Sequence, residues 1–185
     1  MNKDTKEKLS GMTITLHWVM AITMISLLTV GIIMHEMQNS GFKFELYHIH
    51  KSIGVVIFPI AIWRIVWRFK NGFPEPVGSY SNIEHILAKL VHYVLLIGTL
   101  LMPISGMMMS GAGGNGIPLF FFELVSSNYV DGAAVAFNPG AAKLGKEIHE
   151  LAANLLLLAI ALHVLGAIKH HLIDRDATIK RMLGK

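Results

Sequence analysis

IHELAANLLLLAIALHVLGAI, residues 148–168, is an apolar run long enough to cross a bilayer, and it carries two histidines, His149 and His163. Fourteen residues is close to four helical turns, so both imidazoles point to one side, separated by about 21 Å along the axis. An ionisable side chain at membrane depth is costly and marks a functional site by default. Two on one stripe, at two depths, point to a helix that ligates two metal centres, one near each membrane face.

The rest of the 185 residues supports a membrane setting. Only 15% are charged, against roughly 25% in a typical soluble domain. Three further runs, at 14–34, 49–67 and 87–109, approach or exceed membrane-spanning length. With 148–168 they predict one all-α domain over residues 1–185, a four-helix up-and-down membrane bundle. The first run follows a Lys-containing polar tail, holds His17 and Trp18 and ends in HEMQNS, so it reads as a retained span rather than a cleaved signal.

Alternating the spans from a cytoplasmic N-terminus sorts the cations. Lys3, Lys6, Lys8, Arg64, Arg68, Lys70, Lys89, Lys169, Arg175, Lys180, Arg181 and Lys185 fall inside, and Lys43, Lys51, Lys143 and Lys146 outside. Twelve against four is a positive-inside bias that predicts both termini in the cytoplasm. The net charge of +4 is thereby a topology signal, with little support for a nucleic-acid partner. No cysteine is present, which removes disulfides, iron–sulfur clusters, covalently attached haem and thiolate zinc sites.

Between the spans, 38–47 reads as a short outer connection, and Gly72, Pro74, Pro76 and Gly78 break the inner one. Pro59 predicts a tolerable kink in span two. The methionines at 107–109 read as flexible packing. The connection from Ser110 to Lys146 is long enough to be functional or mobile. Its glycines lack the remainder of a phosphate loop, and its apolar cluster at 117–122 reads as an interfacial piece able to lid an outer site.

Topology gives each histidine a depth. His17 and His163 lie near the inner face, His50 and His149 near the outer one. A lone histidine here is more often an interfacial residue bonded to backbone or water. Four that sort into two level pairs suit two bis-imidazole haem sites built from facing helices. His92, with His85 one heptad earlier, is a further inner candidate: an alternative ligand, a contact to a haem propionate or quinone carbonyl, or a satisfied core residue. Arg64 reads either as a snorkelling anchor or as a cation for an inner propionate or quinone. His48 points away from His50, and His35, His170 and His171 sit at helix ends, where solvated roles are the default.

Thr15-Leu-His17-Trp18, His50-Lys-Ser-Ile-Gly54, His92, Lys146-Glu-Ile-His149-Glu150, His163 and the His170-His171 pair together resemble the bacterial cytochrome b561 family over nearly the whole chain. The resemblance implies two non-covalent b haems, electron exchange with ubiquinone and, in one member, a superoxide oxidase activity at the outer face. The expected function is an oxidoreductase moving electrons from an outer donor, superoxide among the candidates, to the quinone pool. Lys51, Lys143 and Lys146 would steer an anionic donor. The rivals are a relay subunit of a larger dehydrogenase or hydrogenase, docked to a partner redox subunit, and a divalent-metal transporter. The near-absence of carboxylates within the spans disfavours the transporter.

Overall fold

The computed structural model describes residues 4–185, so Lys3 lies outside the described residues. Each apolar run is the middle of a longer helix: α1 (Gly11–Glu36), α2 (Gly41–Asn71), α3 (Asn82–Ala112) and α4 (Pro139–Leu172), followed by the five-residue α5 (Thr178–Met182). All four long helices have the length and hydropathy to cross a membrane. At 1.5 Å per residue the 34 residues of α4 extend about 51 Å, well beyond a hydrocarbon layer of roughly 30 Å.

The excess length comes from caps. The side chains of Ser10, Ser40, Ser81 and Asn138 each accept a backbone N–H three residues on, satisfying one of the orphan donors of a first turn. Ser81 and Glu84 complete a reciprocal capping box, and Pro139 starts α4 where a missing N–H costs nothing. The Ser40 cap moves the start of α2 back to Gly41, so most of the expected 38–47 connection is helix. The helices run through Pro59 and Pro103 without a break.

Caps also shorten the long connection to residues 113–138, and it is not irregular. It folds into two antiparallel hairpins, β1 (Ile117–Leu119) with β2 (Phe122–Val125), and β3 (Tyr129–Val130) with β4 (Ala133–Ala134). The strands are too short for their alternation to stand out from a loop. We call this end the hairpin face and the opposite end, which holds residues 4–10 and α5, the terminal face.

The core joins Met20, Met24, Leu27 and Leu28 of α1 with Ile57 and Ala61 of α2, Met102 of α3, and Ala152 and Leu156 of α4. Lipid is as apolar as these side chains, so burial alone does not drive the association; close packing does. α3 and α4 show this most clearly. A Cβ at Gly98 would stand 2.7 Å from Leu156, and one at Gly145 would stand 2.6 Å from the backbone nitrogen of Met109. Large apolar residues such as Ile22, Ile97, Leu158 and Leu165 face outward and are exposed to whatever surrounds the bundle.

At the terminal face, polar contacts replace packing. The indole N–H of Trp67 donates to Thr13 Oγ1 (2.8 Å), and Asp4 takes bonds from Ser10 and Thr13 and faces Arg68 at 3.6 Å. Arg181 is buried and donates to the carbonyls of Lys6 (2.6 Å) and Glu75 (3.1 Å), while Trp18 donates to Met182 O (2.8 Å). Residues 4–10, the α2–α3 connection and α5 thereby form one knot.

Candidate functional site

The structure brings together both expected histidine pairs. At the hairpin face the rings of His50 and His149 stand 6.4 Å apart, centroid to centroid, at 71°. At the terminal face His17 and His163 stand 6.0 Å apart at 51°. With metal–nitrogen bonds of ~2 Å, two imidazoles flanking one ion have centroids about 6 Å apart, which both pairs match. His92 lies closer to His163, at 5.3 Å and 71°, and stacks on Phe73 at 5.9 Å. His17 therefore suits the partner role to His163 better by spacing, with His92 as a third ring against the pair.

Hydrogen bonds decide which nitrogen each ring offers. His149 Nδ1 lies 3.0 Å from Met102 O and 3.1 Å from Ser105 Oγ. A carbonyl only accepts, so the proton sits on Nδ1 and the lone pair is left on Nε2. This is the outer-shell arrangement that orients metal-bound histidines. Ser105, buried, gives its own proton to Leu101 O (2.7 Å) and can accept from the same ring. Gly106 leaves the ring its space, since a Cβ there would stand 3.1 Å from His149 Cε1. Across the gap, His50 Nδ1 is buried without a hydrogen-bond partner among the described residues.

The terminal-face pair is arranged differently. Arg64 donates to Leu16 O (2.9 Å) and its other terminal nitrogen lies 3.4 Å from His17 Nδ1. Arginine only donates, so this contact requires Nδ1 to accept and puts the ring proton on Nε2. Ligation through Nε2 needs the opposite tautomer. Binding a metal there would free Arg64 for an anionic group, and none of the described carboxylates pairs with it. Both donor sets fit bis-histidine haem, the hairpin-face one as it stands and the terminal-face one after a tautomer change.

Next to His163 a cleft of about 390 Å³ opens between α3 and α4. Val91, His92, Leu162, Gly166 and Lys169 are among its lining residues. Its rim carries a polar cluster that the sequence reading passes over by treating His170 as a solvated end. His170 Nδ1 meets Asp174 at 2.7 Å, Lys169 bridges Asp174 and Glu84, and Tyr80 donates to Asp176. The Lys169 and His170 bonds hold Asp174 below the usual carboxylate range. Burial alone would raise Asp176, but bonds from Tyr80 and Thr178 outweigh it and hold the carboxyl low. The i, i+4 spacing of His170 and Asp174 is the signal that could have found this cluster. His48 and His35 are exposed, and His85 packs against Tyr80.

The family model described as prokaryotic cytochrome b561 matches residues 8–185. Among curated proteins, cytochrome b561 homolog 2 of Escherichia coli is 31% identical over 98% of this chain and 94% of its own length. A probable superoxide oxidase of Yersinia pestis is 28% identical over 97% of each. Cytochrome b561 homolog 1 of Escherichia coli is 26% identical over 95% of this chain and 97% of its own.

Proposed function

Because the chain belongs to the prokaryotic cytochrome b561 family, a family of multi-pass inner-membrane cytochromes, we propose that it is a dihaem protein carrying single electrons from a donor at the hairpin face to the quinone pool. The observation that carries this reading is the two imidazole pairs, each at ligand spacing and one above the other along α4. His50 with His149 would hold one b haem, and His17 with His163 the other. Bound there, the haems supply reversible one-electron exchange at their irons.

The protein's own residues set the conditions. Met102 O keeps the His149 proton on Nδ1 and leaves Nε2 for the metal. Arg64, now against His17 Nδ1, would hold an inner propionate or quinone oxygen. His92 and Lys169 line the cleft, where His92 would offer an imidazole N–H to a carbonyl of a bound ubiquinone. The cation bias supports a cytoplasmic position for this terminal face. With superoxide as donor, two anions each lose one electron and leave as dioxygen. One quinone takes both electrons and two protons to become the quinol. The Yersinia relative's name supports superoxide in that role.

Of the three hairpin-face lysines assigned to steering, two are locally balanced. Lys143 stands 3.8 Å from Glu147 and Lys146 stands 3.7 Å from Glu150. Lys51 bonds instead to Asn115 O, keeping an uncompensated charge one residue from His50. Steering then rests mainly on Lys51.

A reduced-minus-oxidised spectrum with haem quantitation tests the proposal. Two b haems are expected in the parent, with a different one missing in His149→Ala and in His163→Ala. Two haems retained in both variants would sink the ligand assignment, and a protein without a haem spectrum would leave the transporter reading. Superoxide-driven quinone reduction by the purified chain alone separates an oxidase from a relay subunit.

A further inference from the structure

The two hairpins of the connection differ in a way that points to two environments. In the second, the turn between β3 and β4 is Asp131-Gly132, with φ of 51° and 80°. That is the residue pair two-residue hairpin turns favour in water, because both positions need positive φ. In the first, the turn between β1 and β2 is Phe120-Phe121. Phe120 adopts φ 52°, a region uncommon for bulky side chains. Phe121 is 99% exposed and Phe122 71%. Three consecutive phenylalanines at a strained, projecting tip oppose both turn chemistry and water solubility.

The depth of the tip resolves this. Ser52, fully buried on α2, accepts the Phe120 N–H (2.9 Å) and donates to Pro118 O (3.4 Å). Ser52 immediately precedes the apolar segment of α2 that begins at Ile53, so the tip is fixed at the border between the polar and apolar parts of the helix. Lys51 holds the approach through Asn115 O (3.0 Å), and Ser110 Oγ donates to Gly116 O (2.6 Å). At this border the hairpin pairs part of its backbone through its own strands and part through the Ser52 hydroxyl, which lowers the cost of meeting lipid. The exposed rings continue the outward apolar surface of the four helices at a level where aromatic side chains are favoured.

We propose that the β1–β2 hairpin is a membrane-dipping anchor: Phe120, Phe121 and Phe122 insert into the lipid of the hairpin-face leaflet, with Ser52 as the latch that holds the hairpin at that depth. This rests on the membrane-spanning bundle alone and is independent of the haem assignment. The occupant of the patch is lipid rather than a partner subunit or a second copy.

The chain has no cysteine, so single substitutions give unique labelling sites. Phe121→Cys, Phe122→Cys and Asp131→Cys, each spin-labelled in the full chain and reconstituted in phosphatidylcholine vesicles, report depth by collision with oxygen against collision with a water-soluble nickel chelate. The oxygen-to-nickel ratio is expected to be at least about fivefold higher at 121 and 122 than at 131, since oxygen concentrates in hydrocarbon and the chelate is excluded. A ratio at 121 and 122 equal to that at 131 would overturn the proposal. So would labels there that neither reagent reaches, which would mean a protein occupant. Ser52→Ala in the Phe121→Cys background should lower the ratio at 121 towards that of 131; an unchanged ratio would remove Ser52 from the role of latch.

Discussion

The two histidine pairs share α4, which gives each pair one member, yet they are prepared to different extents. At the hairpin face His149 is held by a backbone carbonyl that fixes its tautomer, and Gly106 clears its ring. At the terminal face His17 faces a guanidinium, and a third imidazole crowds the pair. A carbonyl partner favours a metal-ready nitrogen regardless of what is bound. A cationic partner makes readiness depend on an anion that draws the cation away. Under the dihaem proposal, the same residue type on the same scaffold would therefore give one preset site and one that is completed by its ligand.

The largest test of this contrast is steric. Gly106→Val should displace the His149 ring and remove the hairpin-face haem while leaving the terminal-face haem, as read by haem quantitation and the reduced spectrum. Ser105→Ala removes only the secondary contact, so weakening of that haem by roughly tenfold, the low end for outer-shell partners, is expected in a haem-transfer titration. Arg64→Gln acts on the other site: losing a cation beside an inner haem disfavours its reduced form, and its midpoint should fall by roughly 50 mV, somewhat under tenfold in equilibrium constant for one electron. A shift confined to the hairpin-face haem in redox titration would reverse the assignment of depth. Lys51→Glu should slow superoxide-driven haem reduction at low ionic strength by about threefold, while Lys143→Gln combined with Glu147→Gln, which leaves the local charge at zero, should stay near parental.

The smallest effect is a pH dependence of the terminal face. Asp174 and Asp176 are held below the carboxylate norm of 3.8. A depressed folded value means that their contribution is fully present above the unfolded value and is lost as pH falls through the folded one. A spin label at Leu183→Cys should keep its mobility from pH 7 to about 5 and loosen only below about 4. Loosening near pH 6 would implicate histidines instead.

Legibility followed the physics of each region. The four helices are written as apolar runs of membrane length, and no competing fold satisfies their backbone in lipid. The level pairing of His17 with His163 and His50 with His149 came from depth alone, because topology restricts depth as strictly as spacing does. Rotation about the helix axis was not legible, so His92 could not be ranked before its 5.3 Å approach to His163 was seen. Met102 O was invisible because a backbone carbonyl carries no sequence signature. The hairpins escaped because strands of two to four residues leave too little alternation to read, and Ser52 looked like an ordinary small helix residue.

Arg181 donates to the carbonyl of Lys6, 175 residues earlier in the chain, and Met182 O accepts a hydrogen bond from Trp18, the residue beside His17. The contacts that secure the terminal end of α1 come from residues made only after all four long helices. Closure of this end thus follows the order of translation: the contact beside His17 waits until α5 has been made.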